Sequence, residues 1–136
     1  MTYTNWNLVE EIDLSAGEKG IVAKSIIAEG TLLGVYDGEI QVFDVENNQL
    51  INNREHKYIV QVALIESKLL GLVTETRSGV DYIIHSCTPN VVPVDRIVLK
   101  AARRIEKGET LTMDYTKWDF IPEGIRCWCA DAKCVL

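Results

Sequence analysis

The residues best suited to chemistry are four cysteines: Cys87, Cys127, Cys129 and Cys134. Three fall in the final ten residues as C-W-C-A-D-A-K-C, and the fourth lies forty positions upstream. Zinc takes four ligands around a tetrahedron, and thiolates suit it, so the number is right for one closed site. The Cys127–Cys129 spacing is tighter than a C-x2-C knuckle, so count and spacing alone leave zinc, free thiols and a redox pair all open. Residues 116–136 show neither a helix nor a strand period, and a tail of that kind gains most from a metal that holds it.

Three further segments carry reactive side chains. D-Y-I-I-H-S-C-T-P-N (81–90) runs an apolar stretch into a polar turn bearing His85, Ser86 and Cys87. A Cys/His nucleophile pair is one reading, although it conflicts with Cys87 as a metal ligand. A turn in which His85 satisfies backbone groups is the other. G-E-T-L-T-M-D-Y (108–115) puts Leu111 and Met113 on one strand face, with Tyr115 following at the strand end. A buried tyrosine hydroxyl there needs a partner. G-E-K-G-I-V-A-K (17–24) is a glycine turn entering a strand, where a cofactor can approach the backbone at Gly20. It does not open a helix and is not G-x-G-x-x-G, so it is no dinucleotide fingerprint.

The elements that must position these groups are short. Gly, Asp and Asn punctuation predicts strands over 7–10, 21–24, 31–36, 39–43, 58–62, 68–73, 80–84, 96–99 and 110–113. Helical turns are predicted only over 44–53 and 101–106. Many strands and few helices predict a β-rich α+β fold. The 136 residues make one domain, and 47% apolar with 25% charged side chains is ordinary for a globular chain. No apolar run reaches the ~18 residues of a membrane span. The first eleven residues lack the charged and apolar regions of a secretory signal, so an intracellular protein is expected, cytoplasmic or nuclear and not secreted. Twenty acids against fourteen bases give a net charge of −6. Direct nucleic-acid binding, which needs a positive face, is not expected. A basic peptide suits the sign better.

Together these segments resemble the SET domain, the fold of protein lysine methyltransferases. Residues 20–39, G-I-V-A-K-S-I-I-A-E-G-T-L-L-G-V-Y-D-G-E, are similar to the family's opening segment. I-H-S-C-T-P-N resembles N-H-S-C-x-P-N, G-E-T-L-T-M-D-Y resembles G-E-E-L-T-x-D-Y, and the final cysteines match the post-SET pattern C-x-C-x4-C. The resemblance implies small curved sheets with a C-terminal pseudoknot, a SET domain over 1–115 and a post-SET tail over 116–136. It implies one zinc held by Cys87, Cys127, Cys129 and Cys134. It implies transfer of a methyl group from S-adenosylmethionine to a lysine of a protein or peptide, histone-like substrates included. Tyr115 matches the catalytic tyrosine, and Tyr58 matches an aromatic position near cofactor and lysine. Lys19, Gly20, Ile21, Ile84, His85 and Trp128 fall at cofactor-contacting positions, and Tyr36 near the same region.

Four positions depart from the family pattern. Ile84 replaces the asparagine of N-H-S-C and cannot make its hydrogen bonds. Asp81 replaces an arginine near the cofactor carboxylate, Glu18 replaces the first glycine of the G-x-G turn, and Met113 replaces an aromatic residue two before the tyrosine. Two readings follow: a divergent methyltransferase using Lys19 or Lys24 for the carboxylate, or a zinc-stabilised SET-like module that binds a partner or handles a different substrate.

Overall fold

A computed structural model describes residues 3–46, 49–50, 58–74 and 76–114. In chain order its strands are β1 (Tyr3–Thr4), β2 (Val9–Asp13), β3 (Lys19–Ala23), β4 (Leu32–Val35), β5 (Glu39–Glu46), β6 (Gln49–Leu50), β7 (Tyr58–Ile65), β8 (Lys68–Thr74), β9 (Ile84–His85), β10 (Val91–Val94), β11 (Val98–Ala101) and β12 (Thr112–Met113). The described helical segments are two single 3-10 turns, Ser15–Gly17 and Gly79–Tyr82. The fold is therefore mostly β, as the punctuation predicts.

Two four-stranded antiparallel sheets dominate, one in the order β1-β4-β11-β10 and one in the order β6-β5-β8-β7. A β2–β3 hairpin and a short parallel β9–β12 pair complete the set. The main core gathers Val9, Ile21, Ile27, Leu33, Leu99, Ile105 and Leu111, each at most 1% exposed. Burial of that apolar area is the main force holding such short strands together, since each pairing alone is marginal. Phe43, Leu69 and Val73 form a second cluster on the β5–β8 ladder.

Close packing fixes one glycine. A Cβ at Gly34 would lie 2.5 Å from Val80 Cγ1 and 2.6 Å from the Tyr3 carbonyl oxygen. Only a residue without a side chain lets the Gly79–Tyr82 turn rest on β4 so closely.

Several elements differ from the sequence expectations. The helix predicted over 44–53 is not formed at its start: β5 continues through Glu46 and pairs Val45 with Leu50. Val42, Phe43 and Val45 suit a half-buried pleated surface, and the ladder to β8 prevails over local helix signals. The strand predicted over 80–84 is a 3-10 turn up to Tyr82. Ser78 N–H donates to Asp81 Oδ2 at 3.0 Å and Asp81 N–H donates back to Ser78 O at 3.1 Å, closing the turn. The helical turn predicted over 101–106 is absent. Ala101 ends β11, and Ile105 exchanges two 2.9 Å backbone hydrogen bonds with Ile27. Strand β10 went unpredicted because Pro93 interrupts V-V-P-V. It lies at a sheet edge, where a missing N–H is tolerated.

Candidate functional site

The motif residues converge where β9 and β12 run side by side. Thr112 pairs with Ile84 and Met113 with His85, in parallel. Ser86 N–H extends the pairing to the Met113 carbonyl at 3.1 Å. Two dipeptide strands cannot hold this register by themselves, and Asn90 supplies what they lack. Its Oδ1 accepts Thr112 N–H at 2.8 Å and its Nδ2 donates to the Thr110 carbonyl at 2.9 Å. Its backbone N–H donates to Thr112 Oγ1 at 3.3 Å, and its carbonyl accepts Ala102 N–H at 2.8 Å. At 2% exposure, the Asn90 amide replaces water for two backbone groups, the Thr112 N–H and the Thr110 carbonyl, and is itself satisfied in return.

His85 stands inside this crossing, 1% exposed. Its Nδ1 is 3.9 Å from Asp114 Oδ1, and its Nε2 is 3.5 Å from Cys87 Sγ. Burial pushes the imidazole pKa below its ordinary value, against a smaller upward pull from Asp114. The neutral ring thus links the Cys87 loop to the last described residue before Tyr115. Ile84 beside it is half-buried.

A second cluster forms where the Gly79–Tyr82 turn meets the β2–β3 hairpin. Lys19 Nζ lies over the Tyr82 ring at 5.8 Å from its centroid, and the Arg77 guanidinium lies over the same ring at 4.9 Å. Lys19 Nζ is also 3.8 Å from Glu11 Oε1, while Glu11 Oε2 accepts Gly79 N–H at 3.1 Å. Arg77 donates to the Asp81 carbonyl at 2.8 Å, and Tyr82 Oη donates to the Arg77 carbonyl at 3.1 Å. Burial raises the Asp81 pKa, outweighing the Ser78 N–H and the Arg77 charge that lower it.

The other named positions divide clearly. Gly20 is buried, and the space above its Cα is taken by Leu14, whose Cδ1 would lie 3.0 Å from a Cβ. The Ile21 side chain is in the core and its carbonyl accepts Leu111 N–H at 2.8 Å. Lys24 donates to the Trp6 carbonyl at 3.2 Å, and Tyr36 is buried in the main core. Tyr58 is placed by its backbone, at the first position of β7. Tyr115, Cys127, Trp128, Cys129 and Cys134 lie outside the described residues. Among the described residues no group of three or more His, Cys, Asp or Glu side chains could hold a metal, and of the four cysteines only Cys87 is described. Sequence reasoning missed Arg77, Tyr82 and Glu11, which no local spacing connects. It noted Asn90 only as the end of a motif; a polar residue closing an apolar-flanked loop was the available signal.

A protein-family model described as SET domain matches residues 18–116. The chain belongs to the SET-domain family. Among curated proteins it is 33% identical to histone-lysine N-methyltransferase ash1 of Drosophila melanogaster, over 85% of this chain and 6% of that protein. It is 33% identical to an H3 lysine-4 specific histone-lysine N-methyltransferase of Emericella nidulans, over 96% of this chain and 10% of the relative. It is 31% identical to human histone-lysine N-methyltransferase 2D, over 85% of this chain and 2% of the relative. The chain thus spans a tenth or less of each of these proteins. Its fold matches a crystal structure of KRYPTONITE in complex with mCHG DNA and SAH, with a TM-score of 0.64 and 18% identity, covering 93% of this chain and 28% of the other. The β-rich fold of small sheets expected from the resemblance is therefore the fold observed. The parallel β9–β12 pairing brings the two motifs together; the expected pseudoknot involves residues after Asp114, which lie outside the described residues. No helix among the described residues is long and apolar enough to cross a membrane.

Proposed function

We propose that this chain is a protein-lysine N-methyltransferase that uses S-adenosylmethionine. The observation that carries the reading is the β9–β12 crossing. It sets His85, Cys87 and Asp114 together and delivers the chain to Tyr115 from a strand end tied down by Asn90. The relatives' names support a lysine in a histone or similar basic protein as substrate, and the chain's net charge of −6 suits a basic peptide.

The described residues fit the cofactor's amino-acid end by chemistry. Lys19 and Arg77, both over the Tyr82 ring, are the donors a carboxylate needs, and the Asp81 carboxylate is an acceptor for an α-ammonium. This pairing takes over from the arginine and asparagine that Asp81 and Ile84 replace. When bound, S-adenosylmethionine supplies an electrophilic methyl group on a sulfonium. By the resemblance, Tyr115 would orient the lysine amine, Tyr58 would serve the cofactor and lysine channel, and Trp128 would meet the adenine. An ammonium has no lone pair, so the lysine must reach Tyr115 as a neutral amine, which a desolvated channel favours. Cys87 with Cys127, Cys129 and Cys134 would hold one zinc, fastening residues 116–136 to the crossing.

Calorimetric titration of zinc-loaded protein with S-adenosylmethionine, followed by methyl transfer to a lysine peptide with and without Tyr115→Phe, tests this. Binding, plus turnover that Tyr115→Phe abolishes, is the expected result. No binding at millimolar cofactor overturns it in favour of a zinc-stabilised binding module, the reading that Asp81 and Ile84 would then support.

A further inference from the structure

Antiparallel sheets with one open face usually carry polar side chains on it. The outer face of the β1-β4-β11-β10 sheet does not. Register sets Leu32, Lys100 and Val92 abreast in one row. It sets Tyr3, Val35, Val98 and Val94 abreast in the next. Tyr3 is 46% exposed, Leu32 41% and Val92 36%, with Val35, Val94 and Val98 half-buried between them. The alternate positions, Gly34 and Leu99 among them, turn inward, and the Gly79–Tyr82 turn packs against that inner side. The face therefore points away from the Lys19–Arg77–Tyr82 cluster, and nothing in the proposed chemistry uses it.

Its dimensions limit what covers it. Strands ~4.8 Å apart make the four-stranded face about 14 Å across, and two rows of alternate residues are about 7 Å apart. A stable dimer needs roughly 800 Å² and 20–30 residues from each side, far more than seven side chains provide. A single helix, about 10 Å in diameter, matches the area. Charge narrows the choice again. Lys100 is the one charged side chain of the two rows and stands mid-row, between Leu32 and Val92. A second copy laid on this face would bring Lys100 against a face with no acid to meet it. A buried ammonium without a partner is costly, so the complement must carry its own carboxylate.

We propose that this face docks one amphipathic helix of a partner protein, apolar along its contact stripe and carrying a carboxylate opposite Lys100. The inference does not depend on the methyltransferase reading. The probe is a pair of synthetic, helix-stapled peptides with a leucine stripe and a central Glu or Lys, titrated into the zinc-loaded full chain and followed by amide chemical shifts. The expected result is shifts gathered at residues 32, 35, 92, 94, 98 and 100, with the Glu peptide binding about tenfold more tightly than the Lys peptide. Lys100→Glu, an exposed change whose amide spectrum reports retained folding, should reverse that preference. Shifts elsewhere, indifference to the sign of the central charge, or a sedimenting dimer that Leu32→Glu dissociates would each overturn the proposal.

Discussion

Between Ile84 and Asn90 the chain is tied to residues 110–114 mainly by neutral hydrogen bonds aimed at backbone groups. Between Arg77 and Tyr82, a few residues earlier, charged side chains gather instead: Lys19 and Arg77 lie over the Tyr82 ring, and Lys19 faces Glu11. The first stretch keeps the family's H-S-C-x-P-N residues, and two of them close backbone groups: Ser86 Oγ accepts Thr88 N–H at 3.0 Å, and the Asn90 amide serves the Thr112 N–H and the Thr110 carbonyl. The second departs from the family, with Asp81 where an arginine is usual. Its backbone is closed by the Ser78–Asp81 exchange and by Glu11 and Thr4, whose side chains accept the Gly79 and Val80 N–H groups. If the proposed cofactor site is right, scaffold and ligand-facing chemistry sit on adjacent segments under different constraints.

The sharpest way to break this contrast is Asn90→Ala. It leaves the Thr112 N–H and the Thr110 carbonyl buried without partners, and each such loss costs ~1–3 kcal/mol. A loss of about 2–4 kcal/mol in urea-midpoint stability is expected. Asn90→Asp keeps the acceptor for Thr112 but loses the donor to Thr110, and should fall between. A cost under ~1 kcal/mol for the alanine would mean that the crossing is held by packing alone.

Gly79→Ala attacks the other stretch through its backbone rather than its charges. Gly79 has φ +54°, and a Cβ there would lie 2.0 Å from Thr4 Oγ1, the atom that accepts Val80 N–H at 3.1 Å. Left-handed strain of ~1–2 kcal/mol adds to the displacement of Thr4. A loss of about 2 kcal/mol by the same measurement is expected. If alanine is tolerated, the close approach of Thr4 does not hold the turn and the contrast weakens.

The two stretches were unequally legible in the sequence. Val, Ile and Leu runs on either side of Asp37-Gly38 point to β4 and β5, and K-L-L-G-L-V points to β8, because strands of this length print their apolar content on the chain. Strands β9 and β12 are two residues long and pair in parallel across 28 positions. The strand predicted over 110–113 contains β12, but nothing in its pattern names β9 as its partner; only the resemblance carried by I-H-S-C-T-P-N and G-E-T-L-T-M-D-Y brings the two together. The alternation V-D-Y-I-I reads as a strand over 80–84, yet the Ser78–Asp81 exchange of hydrogen bonds bends it into a turn. Lys19 and Arg77 meet on Tyr82 from segments nearly sixty residues apart, a convergence that no spacing reports.

The smallest effect tests whether the second stretch is governed by its charges. Burial raises the Asp81 carboxyl pKa in the folded chain, despite the Ser78 N–H and the Arg77 charge. A folded pKa above the unfolded one means that the folded state holds the proton more tightly. The stabilisation this gives is complete below the unfolded pKa, roughly pH 4, and is lost as pH rises through the raised folded value. Asp81→Asn keeps an Oδ1 to accept the Ser78 N–H and removes the titration. The variant should therefore gain on the wild type as pH climbs from about 4, then hold a small constant advantage to neutrality, read from thermal midpoints across the range. A variant less stable than wild type at neutral pH would reverse the conclusion. The ionised carboxylate would then be worth more to Arg77 than its burial costs, and the charges around Tyr82 would be scaffold rather than ligand-facing chemistry.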